Sequence, residues 1–341
     1  MSAPLITVLI DTFNYGHFIG EAINSVLAQD FPFEQMEVLV VDDGSTDDTT
    51  ERVHKYGDRV QYLRKANGGQ ATAFNFGLAR ARGEIVAFLD ADDYWLPGKL
   101  QRIAEEFEKH PQAGMVYHNL YRRDSSGELR DGGFGGVSGF LPDSPKALLC
   151  YDLHPTSTLA FRHSLLERLL PVPEELVIQA DAHFSALAIF LAPVIYLSEP
   201  LAVYRVHGSN LWNVARQVGA EERLRRRMNT TRAIGADVRQ WLEKKGVDVG
   251  RRDIRAYLMQ WTISSRADEF VLSPPGRLRF FRHLLDQPRY FGTRMTWRHK
   301  VVFYANAVGS LFVGYRNFDR LDEWQLAIKR ALRSALGHGQ P

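Results

Sequence analysis

The chain holds a single cysteine, Cys150, among 341 residues, which excludes an internal disulfide framework and fits a reducing compartment. Long apolar runs are missing as well. No window reaches the roughly 18 apolar residues that a membrane-spanning helix requires, and the most apolar later run, Val301–Val313, is too short to span. The opening MSAPLITVLIDTFNY carries no basic leader, and its apolar run stops at Asp11, so it reads as a buried strand and not as a signal peptide. There is no internal repeat, no low-complexity tract and no nucleic-acid recognition module. What remains, 45% hydrophobic and 24% charged residues, is the composition of an ordinary globular protein, long enough for one large domain or two.

The formal net charge of +2 conceals a division. Residues 1–214 hold 17 Lys and Arg against 28 Asp and Glu, whereas residues 215–341 hold 25 against 12. An acidic half joined to a basic half points to two functional surfaces, the second suited to phosphates or anionic lipid.

Along the first hundred residues, strand and helix patterns alternate. Leu5–Ile10, Glu37–Val41 and Ile85–Leu89 read as buried strands, and Val60–Leu63 as a shorter one. Phe18–Gln29, Asp47–Tyr56 and Gln70–Ala81 read as helices, the second capped by Ser45 and Thr46. This alternation implies a parallel, doubly wound sheet, in which ligands bind beyond the C-terminal strand ends. Polar residues occupy those ends: Asp11-Thr12, Asp42-Asp43, and Asp90, Asp92 and Asp93. Residues 124–145, with six glycines, read as a hairpin or loop. Val194–Leu197 and Leu201–Tyr204 read as strands around a Ser198–Pro200 turn. After about residue 212 the pattern turns helical.

Several carboxylates at adjacent strand ends repel each other unless a cation joins them. An Asp-x-Asp there makes a seat for Mg2+ or Mn2+, hard ions that take oxygen ligands and share their shell with substrate phosphates. The alternative is that Asp90 caps a turn while Asp92 and Asp93 cap the helix before Pro97.

The companion motifs bear on that choice. VLIDTFNYGHFIGEAINSVLAQDFPFEQMEVLVVDDGSTDDT and NGGQATAFNFGLARARGEIVAFLDADD resemble, in order and spacing, the opening segments of family-2 glycosyltransferases. These are inverting nucleotide-sugar enzymes of GT-A fold. Asp11 departs from the family, where proline is commoner. The resemblance is strong over residues 5–95, weaker over 150–210 and absent after about 215. It implies an α/β fold, a Rossmann-like, mostly parallel sheet flanked by helices, with an α-helical C-terminal region. The expected division is a catalytic domain over 1–212 and a mainly helical, basic domain over 213–341.

Residue by residue, the resemblance implies that Thr12, Phe13 and Asn14 wall the base pocket. Asp42 or Asp43, with Asp42 preferred, would accept the base imide N–H, a role suited to an acceptor-only carboxylate. Asn67, Gly68 and Gly69 would let the backbone pass close to ribose and diphosphate. Asp90 would contact ribose, Asp92 the metal, and Asp93 a helix start. LAVYRVHGSN resembles a segment in which Arg205 and His207 reach the diphosphate or the metal. Inversion needs a general base, and IQADAHF places Asp181 there. The family's usual Glu-Asp-x-Asp is altered here, with Ala180 and His183 at two of its positions. His183 would orient Asp181 or meet the acceptor, and His154–Thr158 would line the acceptor side.

The expected reaction is metal-dependent transfer of a sugar from a nucleoside-diphosphate donor, UDP-linked by preference, to the hydroxyl of a glycan or glycolipid acceptor. A cytoplasmic protein, peripheral on the membrane and free to form homo-oligomers, is consistent with this. Residues 277–313 interleave arginines with aromatics, a pattern that lies on anionic membranes or packs internally. Two competing readings are a nucleotidyltransferase and a nucleotide-sugar-binding scaffold without turnover. Thr12-Phe13-Asn14-Tyr15 stands where the first would carry a basic, glycine-rich loop; the altered base region favours the second.

Overall fold

A computed structural model of the chain describes residues 5–132, 138–142, 154–208, 210, 220–291, 304, 307–312 and 314–315. The chain divides into two compact units, residues 1–220 with 233–247, and residues 221–232 with 248–341.

The first unit is built on a mixed sheet. Strands β1 (Ile6–Thr12), β2 (Met36–Asp42) and β4 (Ile85–Asp90) are near-continuous apolar runs, as strands covered on both faces must be. With β3 (Gln61–Arg64) they lie parallel in the order β3-β2-β1-β4. Crossovers of this kind need helices, supplied by α1 (Gly16–Leu27), α2 (Thr49–His54) and α3 (Gln70–Leu78).

Helix α2 is shorter than its sequence pattern. Ser45 and Thr46, expected to cap it, bind Asn14 instead, while Asp47 Oδ1 accepts Thr49 N–H at 3.1 Å.

Beyond β4 the sheet turns mixed. Strand β9 (Leu159–Arg162) runs antiparallel between β4 and β6 (Met115–Arg123), and β10 (Val194–Arg205) lies parallel to β6. Short strands β5 (Tyr94–Trp95), β7 (Leu129–Asp131) and β8 (Gly139–Leu141) pair antiparallel with β10, β6 and β10. The glycine-rich stretch therefore holds two strands within its described part. The two strands expected around Ser198–Pro200 are one, β10. Its register slips against β6 on either side of Pro200, because a proline has no N–H for the ladder and is accommodated at a bulge.

Alternating residues send apolar side chains to both faces. Ile6, Val8, Ile10, Val38, Val40, Ala87 and Leu89 join Ile19, Ala22, Ile23 and Val26 of α1 in one core. That core also takes Leu100, Ile103 and Phe107 of α4 (Lys99–Lys109). On the other face Phe88 packs edge-on against Phe74 of α3 at 5.1 Å. It also lies 5.9 Å from Phe184 of α6 (Asp181–Ala188), which follows the short α5 (His163–Leu166). This aromatic contact seats α6 so that its first residue, Asp181, is held near the strand ends.

The division between units falls inside α7 (Ala220–Lys244). In the second unit α8 (Arg252–Leu272) and α9 (Arg277–Phe291) pack through Phe270, Phe280 and Leu284. The apolar part of the basic tract that is described is thus partly internal. Leu278 and Phe312 are exposed, and Trp297 lies outside the described residues. Among the described residues no helix is long and apolar enough to cross a membrane.

Candidate active site

Parallel pairing decides which side chains meet. In register, Thr12 faces Asp42 and Asp11 faces Asp90. The loop after β4 adds Asp92 and Asp93, and oxygens of Asp90, Asp92 and Asp93 lie within 4.8 Å of one another. Burial pushes Asp90 and Asp93 well above the ordinary carboxylate range, and neighbouring carboxylates push the same way. Burial also lifts Asp11 to about 7.

The three aspartates have different surroundings. Asp92 Oδ2 receives His207 Nε2 at 3.0 Å and Asn210 Nδ2 at 3.2 Å. The His207 ring lies 4.6 Å from that of Phe18. Asp90 Oδ1 accepts a long bond from Gln70 Nε2 (3.4 Å), shared with Asp11 Oδ2 (3.3 Å). Asp93, expected to cap a helix, caps nothing. It is fully buried, and its oxygens accept Arg205 N–H (3.0 Å) and the Ser157 hydroxyl (2.6 Å). The chain continues from it into β5, and α4 begins only after Gly98.

Among the residues expected to meet the nucleotide, Phe13 is 43% exposed and Thr12 is buried, its hydroxyl without a partner among the described residues. Asn14, at a φ of 57°, donates its N–H to Ser45 Oγ and accepts Thr46 N–H on its side chain. The Thr-Phe-Asn turn is thereby fastened to the Asp-Asp-Gly-Ser-Thr loop. Asp42 is fully buried; Oδ1 accepts Ser45 N–H at 2.7 Å and Oδ2 accepts the Tyr62 hydroxyl. Asp43 accepts Lys65 Nζ (2.6 Å), Gly68 N–H (3.0 Å) and Gly69 N–H (2.7 Å), so it shapes the glycine loop in which Asn67 is exposed. Gly69 has a φ of +87°, and a Cβ there would come within 2.6 Å of Val177. Only glycine suits that conformation and that approach.

Arg205 is buried between two rings and a carboxylate. Its guanidinium sits about equally near the Phe18 and Tyr94 rings, 5.0 and 4.9 Å away, and 2.8 Å from Glu21 Oε2. Asp181 opens α6. Burial raises its carboxyl to about 6, with Ala182 and Thr156 acting in the opposite sense. His183 does not orient it. Its Nδ1 meets Asp237 Oδ2 at 2.6 Å and its Nε2 meets Leu169 O at 3.0 Å, because two residues along a helix turn the side chain to another face. His154 is buried against Tyr117, with ring centroids 4.6 Å apart.

This arrangement has relatives. Residues 7–169 match the family described as glycosyl transferase family 2. A glycosyltransferase of Mycoplasma pneumoniae is 31% identical over 205 residues, 59% of this chain and 67% of that protein. The chain belongs to glycosyltransferase family 2. A glycosyltransferase of Nostoc sp. is 39% identical over 214 residues, 60% of this chain and 66% of that protein. The chain therefore spans about two thirds of the length of these two relatives. The fold is also that of S. aureus TarS 1–349, crystallised in complex with UDP-GlcNAc. Its TM-score is 0.63 at 21% identity, over 91% of this chain and 92% of that one.

The residues of this family-2 enzyme fit a divalent cation. Asp92 and His207 present an oxygen and a nitrogen from one point, Asp90 lies beside them, and clustered carboxylates are the donor set of a hard ion. Asp93, the third carboxylate of the cluster, accepts one hydrogen bond on each oxygen. Sequence reasoning missed Asn210, Gln70 and Lys99. Asn210 follows His207 by three residues, a spacing that signals a local turn, and its Nδ2 also donates to Arg205 O at 2.9 Å. Lys99 is a fully buried lysine whose Nζ donates to Ser157 O at 2.7 Å and lies 3.8 Å from the Trp95 ring. Burial lowers its amine well below the ordinary lysine range. Nothing in its helical sequence context distinguishes it from a surface lysine.

Proposed function

We propose that this glycosyltransferase moves a sugar, with inversion, from a UDP-linked donor to an acceptor hydroxyl. One observation carries the reading. Asp181, its carboxyl raised by burial to about 6, lies close enough to Asp90 to raise that carboxyl further. A base and a donor site are thereby brought to one edge of the sheet.

Asp92 and His207 would hold Mn2+ or Mg2+, with Asp90 on the ribose. When bound, the ion offsets the negative charge that the departing diphosphate acquires. Asp181 takes the acceptor proton as the hydroxyl oxygen attacks C1; a base near 6 is ionised at neutral pH and still basic enough to serve. Thr12, Phe13 and Asn14 would wall the base. Asp42 would meet the imide through a lone pair not used by Ser45 or Tyr62, since a carboxylate has about four acceptor sites. Asp43, Gly68 and Gly69 act on the nucleotide through the shape of their loop. Arg205 acts by holding Asp93 through its backbone, and its side chain braces α1 at Glu21.

Calorimetry of the full chain tests the donor assignment. UDP should bind in the presence of Mn2+ more tightly than GDP, and Asp92→Asn should weaken that binding tenfold or more, on the order of 1.4 kcal/mol. Manganese-dependent UDP binding that survives Asp92→Asn unchanged would remove Asp92 from the site.

A further inference from the structure

The second unit carries a cleft of about 430 Å³, within the size range of small-molecule sites. Its lining is Arg266 and Phe270 from α8, and Arg279, Arg282, Leu285 and Asp286 from α9. Helical spacing explains the gathering. Arg266 and Phe270 stand one turn apart, as do Arg279 and Arg282, so each pair projects from one face of its helix. Phe270 also joins Phe280 and Leu284 in the small core that fastens the two helices, which holds the arginine-bearing faces side by side.

The charges around the cleft do not cancel. Arg266 meets Asp286 at 2.7 Å, and Arg279 meets Glu269 at 2.5 Å, while Glu269 is shared with Arg232 at 2.7 Å. Arg282 has no acidic partner among the described residues. Four guanidiniums therefore stand against two carboxylates. The acids also lie deeper. The side chains of Glu269 and Asp286 are 25% and 21% exposed, against 56% and 37% for Arg279 and Arg266. What the cleft offers to solvent is cationic. His283, with its ring 4.9 Å from that of Phe270, adds nothing to this charge, since burial, with Arg266 nearby, pushes its imidazole down to about 4.

We propose that this cleft is a second binding site, one that takes a phosphate or diphosphate group. Planar guanidinium forks match phosphate oxygens in pairs, and several forks on one small surface make charge-assisted bonds that a lone arginine cannot. A phosphate ester carries about −1.5 to −2 charges at neutral pH, close to the local excess of positive charge. In the first unit a cation completes the charge balance; here an anion does. The phosphate is borne either by a soluble molecule or by a lipid. Leu285 lines the cleft, and Leu278, one turn before Arg282, is 58% exposed, so an apolar chain beside the phosphate has a surface to meet.

The test is calorimetry of the full chain with inorganic pyrophosphate in about 0.15 M salt, where distant surface charges are screened. EDTA removes divalent ions, so that binding does not run through the carboxylate cluster. Pyrophosphate should bind, and Arg282→Gln should weaken it roughly tenfold. Arg225→Gln removes the same charge at a residue that pairs with Glu221 and does not line the cleft, and should leave the affinity at the parent level. Both variants should bind UDP with Mn2+ as the parent does, since neither residue lies in the first unit. Sedimentation with vesicles separates the two sources. A lipid-borne phosphate gives Arg282-dependent sedimentation with phosphatidylcholine vesicles containing phosphatidylglycerol, but not with phosphatidylcholine alone; a soluble one gives pyrophosphate binding without sedimentation. Failure of the parent to bind pyrophosphate overturns the site. So does unchanged affinity in Arg282→Gln, or an equal loss in Arg225→Gln.

Discussion

The two units of this protein treat negative charge in opposite ways. In the first, carboxylates are buried beside one another. Asp11 is raised to about 7 and Asp181 to about 6, and Asp90 and Asp93 are raised well above their ordinary range, all primarily by burial. In the second, carboxylates lie against arginines near the surface. Arg279 lowers Glu269, which also meets Arg232 at 2.7 Å, and Arg251 lowers Asp253. Arg266 reaches Asp286 at 2.7 Å. A protein can neutralise its acids internally without difficulty, as the second unit demonstrates. Leaving a cluster of them unneutralised costs stability, and such perturbed groups gather where a cation and a substrate complete the charge balance.

That contrast can be broken first at Lys99. It is a fully buried lysine behind the carboxylate loop, and Lys99→Met leaves Ser157 O with one donor fewer. A loss of about 1–3 kcal/mol in urea unfolding is expected. A neutral result would mean that the loop is held without it.

The second test uses sign. Asp11 has a raised folded-state value, so the stability it contributes is fully present below the ordinary aspartate range, near 3.8, and is lost as pH rises through about 7. Asn cannot ionise, so Asp11→Asn should gain stability relative to the parent between pH 5 and pH 8. Glu269 has a lowered value, so its contribution is present above the ordinary range and is lost on acidification. The deficit of Glu269→Gln should therefore be complete at pH 7 and shrink below about pH 4.5. Melting temperatures of both variants against pH would settle it, and parallel slopes would erase the contrast. The smallest effect belongs to Arg225, whose pair with Glu221 is exposed on both sides. Arg225→Ala should change stability by less than about 0.5 kcal/mol.

How far the sequence discloses all this depends on range. The parallel half of the sheet was legible because β1, β2 and β4 are apolar runs ending in carboxylates, a local pattern. The antiparallel insertion of β9 was not, since LAFR carries no mark of its neighbours. The clustering of Asp90, Asp92 and Asp93 follows from adjacency in the chain, and the meeting of His207 with Asp92 from the order of motifs that the chain shares with its family. What separates their roles is long-range. Asp93 reads as a helix cap until Ser157 and Arg205, 64 and 112 residues away, are seen to occupy it. His183 reads as a neighbour of Asp181 until Asp237, 54 residues away, claims its ring. Gln70 acts through bonds to Asp11, Asp90 and Ala180, which lie elsewhere in the chain, and no spacing announces it.

The central claim is that Asp181 and the Asp92 side are parts of one transfer site with separate tasks. The direct measurement is nucleotide release from UDP-GlcNAc with Mn2+, made alongside UDP affinity, for the parent and Asp181→Asn. The account predicts that Asp181→Asn keeps parent affinity and loses turnover by a factor on the order of 100–10,000, the usual worth of a general base. Turnover at the parent rate in Asp181→Asn would contradict it.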